Sequence, residues 1–378
     1  MKKRIIVLGC TGSIGRNALE VVRAYPERLE VVGLSAHTRD RELLAAAREF
    51  GVERLALTGK RGGGVPYEGE EGLLHLIEET EADIVVNGIA GTRGLIPSLK
   101  ALETGKDLAL ANKESLVVAG ELLLETATRN GRHILPVDSE HAAIFSLLRN
   151  VPPDAVKALY LTASGGALRD IPLSRLEEIT PEEALRHPTW EMGPKITIDS
   201  ATLANKGLEV IEAAVLFGVP PESVRVVIHP QSVVHGLILL RDGSWHAQMS
   251  TPDMRLPIQQ ALFHPEVPPQ APAPLLLEEG LDLSFRPVDG RRYPMLELAY
   301  QALASQGKRI AFNAANEEAV RAFLEGRISF PRIAQVVESV LAREWPSPQG
   351  GISPILALDA EVRRVTEGIL KERSGHAS

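Results

Sequence analysis

Apolar residues along the chain alternate between short strand-length runs and longer runs at helical spacing. Over residues 1–150 the short runs are Ile5–Leu8, Leu29–Leu34, Arg54–Leu57, Ile84–Val86, Leu108–Leu110 and His133–Val137. Amphipathic stretches such as Ile14–Ala24, Arg41–Phe50 and Ser115–Arg129 lie between them. Strand–helix alternation of this kind predicts an α/β architecture with a doubly wound, Rossmann-like parallel sheet. The glycine-rich segment Gly59–Gly64 reads as a loop.

From residue 151 the texture changes. Val156–Thr162, Val224–Ile228, Val233–Leu240 and Ser244–Met249 read as strands, with a hairpin at Arg241-Asp242-Gly243. The polar, proline-interrupted stretch Ile171–Pro194 is too long for an inert connection and predicts a functional lid or a disordered loop. His264–Pro274 carries five prolines and reads as a semi-rigid linker. Met295–Ser305, Phe312–Leu324, Ile333–Arg343 and Ala357–Lys371 show helical patterning. The expected organisation is a dinucleotide-binding domain over 1–150, a central α+β catalytic domain over 151–264, a linker over 265–292 and a C-terminal helical bundle over 293–378.

Composition narrows the class. The 378 residues are 44% hydrophobic and 24% charged, ordinary for a globular protein. A net charge of −8 without a basic tract argues against nucleic acid as a partner. One cysteine, Cys10, excludes an intramolecular disulfide and a cysteine-based zinc site. No apolar stretch is long enough to span a bilayer, and the start goes directly into a strand-and-turn pattern, so a cytoplasmic location away from membranes is expected.

Gly9-Cys10-Thr11-Gly12-Ser13-Ile14-Gly15 follows the first strand and opens a helix. Glycines there let backbone N–H groups approach a pyrophosphate at the helix N-terminus, although a purely structural turn has the same local requirements. At the end of the second strand no acid appears before Asp40; His37, Thr38 and Arg39 stand there instead. Arg39 suits a 2′-phosphate, which favours NADP(H) over NAD(H); its alternative is a solvated residue at a helix start.

Two short stretches concentrate the polar chemistry: Val137–His141, and Asp199–Glu209. They offer the carboxylates of Asp138, Glu140 and Glu209, beside Ser139, Ser200, Asn205 and Lys206, groups suited to a phosphate. Hard divalent cations take such oxygen ligands, Mg²⁺ and Mn²⁺ foremost, with Co²⁺ tolerated. Helix capping by Asp138-Ser139-Glu140 and a solvated Lys206–Glu209 pair are the plainer readings. Asn112-Lys113-Glu114 follows a parallel strand, where Lys113 can polarise a substrate oxygen and Asn112 or Glu114 faces the nicotinamide side. Ser164-Gly165-Gly166 follows another strand and leaves backbone N–H groups for an anion. His229 and His235 lie near apolar strands and read as structural; His141 is either a group supporting Glu140 or helix surface.

Together these segments resemble the 1-deoxy-D-xylulose 5-phosphate reductoisomerases. The matching set is Gly9–Gly15, Leu110–Ser115, Pro136–His141, Thr162–Gly166, His187–Gly193, Asp199–Glu209, His229–Ser232, Thr251–Pro257 and Asn313–Glu317, which runs through the chain and is specific as a set. The resemblance implies Asp138, Glu140 and Glu209 as metal ligands. It implies Lys113, Ser139, Ser164, His187, Ser200, Asn205 and Lys206 as substrate contacts, several of them on the phosphate, and Thr11, Gly12, Ser13, Ile14, Asn112, Glu114 and Gly193 at NADPH. It also implies a homodimer. Five positions depart from the family pattern: His37-Thr38-Arg39, where Gly-Lys-Asn is frequent, Ala167 and Thr189.

The implied chemistry suits the residues. A 2-keto sugar phosphate presents two adjacent oxygens to a divalent ion, its C3–C4 bond is broken and a carbon–carbon bond re-formed at C2, and NADPH reduces the resulting branched aldehyde to 2-C-methyl-D-erythritol 4-phosphate. Within Arg186–Pro194, proline and glycine flank Trp190, which predicts a lid closing on substrate together with His187. Two other readings stay open: another NADP-dependent reductase, such as a semialdehyde dehydrogenase, which needs a catalytic cysteine or a His/Lys pair, and a dinucleotide-sensing module without turnover.

Overall fold

The computed structural model describes residues 2–190 and 192–372. In chain order its regular elements begin with β1 (Lys3–Leu8), α1 (Ser13–Ala24), β2 (Leu29–Ala36), α2 (Asp40–Phe50), β3 (Leu55–Leu57), β4 (Tyr67–Glu68), α3 (Gly69–Glu79), β5 (Ile84–Asn87), α4 (Leu95–Glu103), β6 (Asp107–Leu110), α5 (Lys113–Arg129), β7 (Ile134–Pro136) and α6 (Ser139–Leu148). They continue with β8 (Val156–Ala163), α7 (Pro181–Ala184), α8 (Pro194–Thr202), α9 (Ala204–Phe217), β9 (Val224–Ile228), β10 (Val234–Leu240), β11 (Trp245–Met249), α10 (Arg255–Phe263), α11 (Pro294–Ala302), α12 (Gln306–Leu324), α13 (Arg332–Leu341) and α14 (Ile352–Glu372).

Contacts divide the chain into two units. One comprises Met1–Ser115, Glu121–Phe145 and Asp253–Pro274; the other comprises Leu116–Gly120, Ser146–Pro252 and Leu275–Ser378.

The first unit is built on a seven-stranded sheet of order β4-β3-β2-β1-β5-β6-β7, parallel at every pairing. Ile5, Ile6, Val7 and Leu8 of β1 are all buried. Apolar side chains on both faces are what a central parallel strand covered by helices requires. The chain turns one way from β1 to β2 and the other way to β5, so β1 and β5 flank the switch point at which open α/β sheets bind ligands. Helix α2 shows how locally the ends are set. Asp40 and Glu42 occupy its first turn, Arg48 its last, and Gly51 closes it at φ +68°. That order suits the helix dipole and the left-handed C-terminal turn.

The segment 253–274 lies within this unit, where the proline pattern suggested a catalytic-domain end and a linker. Phe263 of α10 meets the ring of Tyr25 edge-on at 4.9 Å, and Ile258, Ala261 and Leu262 join the same core as Val21 and Val22 of α1. Pro257 stands in the first turn of α10, where no intrahelical N–H bond is lost, and the proline-rich run starts only after the helix, at Pro265. Strand β4 is a further difference: two residues pair with β3 after the glycine-rich loop, too short a run for an apolar pattern to announce.

The second unit holds a four-stranded sheet of order β11-β10-β8-β9, with β8 and β9 parallel and the other pairs antiparallel. The helices α11–α14 do not stand apart from it. Ile198 and Ala201 of α8 share one core with Ala319, Val320 and Phe323 of α12 and Ile333 and Val336 of α13. At Gly207 of α9 an added Cβ would lie 2.6 Å from that of Ala299, so α9 and α11 approach as closely as a glycine permits. The C-terminal helices therefore form the floor on which α8 and α9 rest.

Candidate active site

The cofactor turn meets its geometric requirements. Gly9 sits at φ +71°, and a Cβ on Gly15 would lie 2.7 Å from the carbonyl carbon of Cys10. Only glycine lets α1 start that close to the turn. Its N-cap, Gly12, supplies no side-chain cap to the first amides of α1, at Ser13 and Ile14. Arg39 at the end of β2 donates to the Thr11 carbonyl at 3.2 Å, and Arg16 donates to the same oxygen at 3.0 Å. Arg16 had no signal in the strand-end pattern, because it reaches the turn from inside the helix. Thr38 is exposed beside them, and Asp40 is tied to Lys60, which leaves two guanidinium groups by the turn. Cys10 is buried and its thiol pushed up to about 12 by that burial, so it is no nucleophile at neutral pH.

At the carboxyl ends of β6 and β7 the first unit gathers Lys113, Asp138, Ser139 and Glu140. Lys113 forms a buried ion pair with Asp138. Burial opposes ionisation of Asp138, but Lys113 and His141 outweigh it and hold the carboxyl well below its ordinary range. His141 is interior, its Nδ1 3.6 Å from Asp138 Oδ1, which removes the helix-surface reading. Ser139 donates to Glu140 at 2.7 Å, and the Glu140 amide donates to Asp138 at 3.3 Å. The start of α6 is thus capped by Asp138 while its carboxylates stay clustered. Asn112 caps α5 and also donates to the Ile89 and Gly91 carbonyls, at 2.7 and 2.8 Å, and to Glu114 at 3.2 Å. It therefore fixes the loop beyond β5, beside the switch point.

In the second unit α8 and α9 meet at Leu203, which takes a left-handed conformation at φ 59°. Its side chain is buried with Ala163, Ile228 and Tyr293, and that burial offsets the backbone cost. The turn brings Asn205, Lys206 and Glu209 onto one face of α9. Asn205 donates to one Glu209 oxygen at 2.6 Å, and Lys206 pairs with the other. Glu209 is only 1% exposed, which excludes a solvated surface pair.

Ser164 follows β8. Its hydroxyl lies 3.1 Å from His187 Nε2 and accepts from the Gly166 amide at 3.2 Å. His187 Nδ1 accepts from the amides of Thr189 and Trp190, at 3.1 and 2.9 Å, so the neutral ring carries its proton on Nε2. Burial, helped by the Arg169 charge, pushes His187 down to about 4. At neutral pH it is an uncharged donor aimed at Ser164. Arg169 also donates to the Ser164 carbonyl at 2.8 Å, a support that sequence spacing did not reveal. Trp190 is half-buried, its ring 6.5 Å from that of His235, and Gly193 is exposed at the N-cap of α8. Glu191, within the expected lid, lies outside the described residues. His229 is structural: its Nδ1 faces the Ser284 carbonyl at 2.9 Å, and its Nε2 accepts from the amides of Val233 and Val234.

The donor chemistry fits the groups implied. Buried carboxylate oxygens beside ammonium groups, Asp138 with Lys113 and Glu209 with Lys206, suit a hard cation. Glycines with no room for a Cβ, beside a β2 end where Asp40 is paired with Lys60, suit a phosphorylated dinucleotide.

The chain matches the family model for 1-deoxy-D-xylulose 5-phosphate reductoisomerase over residues 5–120. Two C-terminal domain models of the same reductoisomerase match residues 134–217 and 249–365. It is 42% identical over 374 residues to 1-deoxy-D-xylulose 5-phosphate reductoisomerase of Treponema denticola, covering 98% of each chain. Over 372 residues it is 45% identical to that of Treponema pallidum, again covering 98% of each. Among solved structures, a crystal structure of DOX-P reductoisomerase in complex with NADPH, fosmidomycin and magnesium superposes with a TM-score of 0.91 at 37% identity, covering 98% of both chains. On these matches, end to end and well above the level at which folds alone are shared, the chain belongs to the 1-deoxy-D-xylulose 5-phosphate reductoisomerase family.

Proposed function

We infer that this chain converts 1-deoxy-D-xylulose 5-phosphate to 2-C-methyl-D-erythritol 4-phosphate, a rearrangement followed by reduction, using NADPH and a divalent metal ion, in isoprenoid precursor synthesis. The observation that carries this reading is the first turns of α9, where a buried carboxylate, Glu209, stands with Asn205 and Lys206. A metal ligand and phosphate-binding groups are there built into one helix face.

Asp138, Glu140 and Glu209 would hold the ion, Mg²⁺ first, with Mn²⁺ or Co²⁺ as substitutes. When bound, the ion supplies Lewis-acid polarisation of the substrate oxygens and NADPH supplies the hydride. Lys113 donates to a substrate oxygen and keeps Asp138 ionised. Ser164, Ser200, Asn205 and Lys206 grip the phosphate, and His187, uncharged with its proton on Nε2, orients the substrate through Ser164. Ser139 holds Glu140 in its rotamer. Trp190 covers the carbon chain as the segment 186–194 closes and excludes water.

Thr11, Gly12, Ser13 and Ile14 receive the pyrophosphate of NADPH, and Thr38 with Arg39 receives its 2′-phosphate. Asn112, Glu114 and Gly193 border the nicotinamide end. Arg39→Ala is expected to narrow the preference for NADPH over NADH by roughly ten- to a hundredfold, the loss of one charge-assisted contact. Paired kinetics with both cofactors check this, and an unchanged preference would assign the contact elsewhere. We further place the protein in the cytoplasm as a homodimer; among the described residues no helix is long and apolar enough to cross a membrane.

The test of the function is direct. Adding 1-deoxy-D-xylulose 5-phosphate to the protein with NADPH and Mg²⁺ should oxidise NADPH, EDTA should stop the reaction and Mg²⁺ should restore it. Oxidation indifferent to EDTA, or none with this substrate, contradicts the reading.

A further inference from the structure

Asp199 is a buried carboxylate that the chemistry above does not use, only 1% exposed at the end of α8. Two donors from different elements hold it. Lys195, one turn earlier on α8, lies 2.8 Å from one oxygen, and Asn316 of α12 donates to the other at 2.8 Å. Asn316 is itself buried, and its own carbonyl oxygen has no partner among the described residues. An interior amide that leaves one end unsatisfied costs stability, so the bond from its other end to Asp199 has a requirement to meet.

The next residue shows that requirement. Ser200 packs on the glycine loop after β8, where a Cβ on Gly166 would lie 2.6 Å from the Ser200 carbonyl and 2.7 Å from Ala201 Cα. The same carbonyl accepts from the Leu203 amide at 3.2 Å, in the left-handed turn that launches Asn205 and Lys206. Ser164, Ser200, Asn205 and Lys206 thus depend on the last turn of α8, and Asp199 adds a polar tie from that turn to α12 beside the apolar packing of Ile198 and Ala201. Lys195 also balances the Asp199 charge, which would otherwise repel an incoming phosphate.

We propose that Asp199, clamped between Lys195 and Asn316, is the positioning residue of the phosphate-binding group, and that α12 belongs to the active site through Asn316. The proposal rests on the phosphate reading of Ser164, Ser200, Asn205 and Lys206 and deepens it.

Asp199→Asn and Asn316→Ser are compared with the unaltered enzyme in three measurements: KM for 1-deoxy-D-xylulose 5-phosphate, competitive inhibition by inorganic phosphate, and inhibition by acetohydroxamate, a chelator without phosphate. Each variant should raise KM and weaken phosphate inhibition roughly tenfold, the effect of misplacing charge-assisted contacts. KM for NADPH and acetohydroxamate inhibition should stay within about twofold, since neither engages the phosphate group. The swap Asp199→Asn with Asn316→Asp keeps one donor and one acceptor across the same contact and should recover most of the phosphate affinity. Equal losses for phosphate, acetohydroxamate and NADPH would overturn the proposal and make Asp199 a matter of stability alone, as would a swap no better than the single changes. If Asp199→Asn fails to fold, Asn316→Ser and the swap carry the same comparison. Unaltered enzyme indifferent to inorganic phosphate would instead sink the phosphate reading itself.

Discussion

Glu209→Gln is expected to lower turnover at least about a hundredfold, a few kcal/mol of barrier, because in the proposed site it removes a charged ligand of the metal. Glu209 is buried, with both oxygens engaged by Asn205 and Lys206. Glutamine keeps the shape and loses the charge, which weakens the buried pairing with Lys206. The apparent Mg²⁺ requirement should rise while NADPH affinity barely changes, since the proposed cofactor contacts are the glycine turn and Arg39 and not α9. Turnover is measured across a Mg²⁺ titration, with thermal unfolding alongside to separate lost ligation from lost folding. Near-normal turnover at limiting Mg²⁺ would remove Glu209 from the ligand set.

Gly15→Ala should weaken NADPH binding by about a hundredfold, through a clash that no rotamer relieves. The added methyl meets backbone, the Gly9 carbonyl and the Cys10 main chain, rather than a side chain able to turn away. Helix α1 must then retreat from the turn, at a cost of about 1–3 kcal/mol of stability. Its first amides would no longer converge on the pyrophosphate. Gly12→Ala is the milder comparison, since its Cβ would stand 3.3 Å from the Gly9 carbonyl. Equilibrium NADPH binding to both variants decides: equal, near-normal affinities would show that the turn is structural and the cofactor lies elsewhere.

What could be read from the chain was what depends on local requirements. The glycine turn was legible because pyrophosphate approach and helix–strand proximity both forbid side chains at fixed positions, and the absence of an acid after β2 is a single-residue observation. Parallel strands such as β1 and β5 announced themselves as apolar runs. What was not legible depends on partners distant in sequence. The prolines after His264 conceal nothing about their own backbone, but they do not say that α10 just before them packs on α1. His141 looked equally suited to surface or interior until the pairing with Asp138 placed it. Asp199 and Asn316 are 117 residues apart, and neither carries a mark of the other. Arg16 and Arg169 act by reaching back to main-chain carbonyls, of Thr11 and Ser164, contacts that no side-chain motif encodes.

The reaction itself is tested most directly by following carbon. In 1-deoxy-D-xylulose 5-phosphate C2 and C4 are separated by C3; after cleavage of C3–C4 and re-formation at C2 they are bonded. Substrate labelled with ¹³C at both positions, turned over with NADPH and Mg²⁺ and examined by NMR, should give a product with one-bond ¹³C–¹³C coupling and a new quaternary carbon. NADPH consumed with the two labels still non-adjacent would mean simple reduction of the ketone, and would contradict the assignment of Asp138, Glu140, Glu209 and Lys113 to a rearrangement.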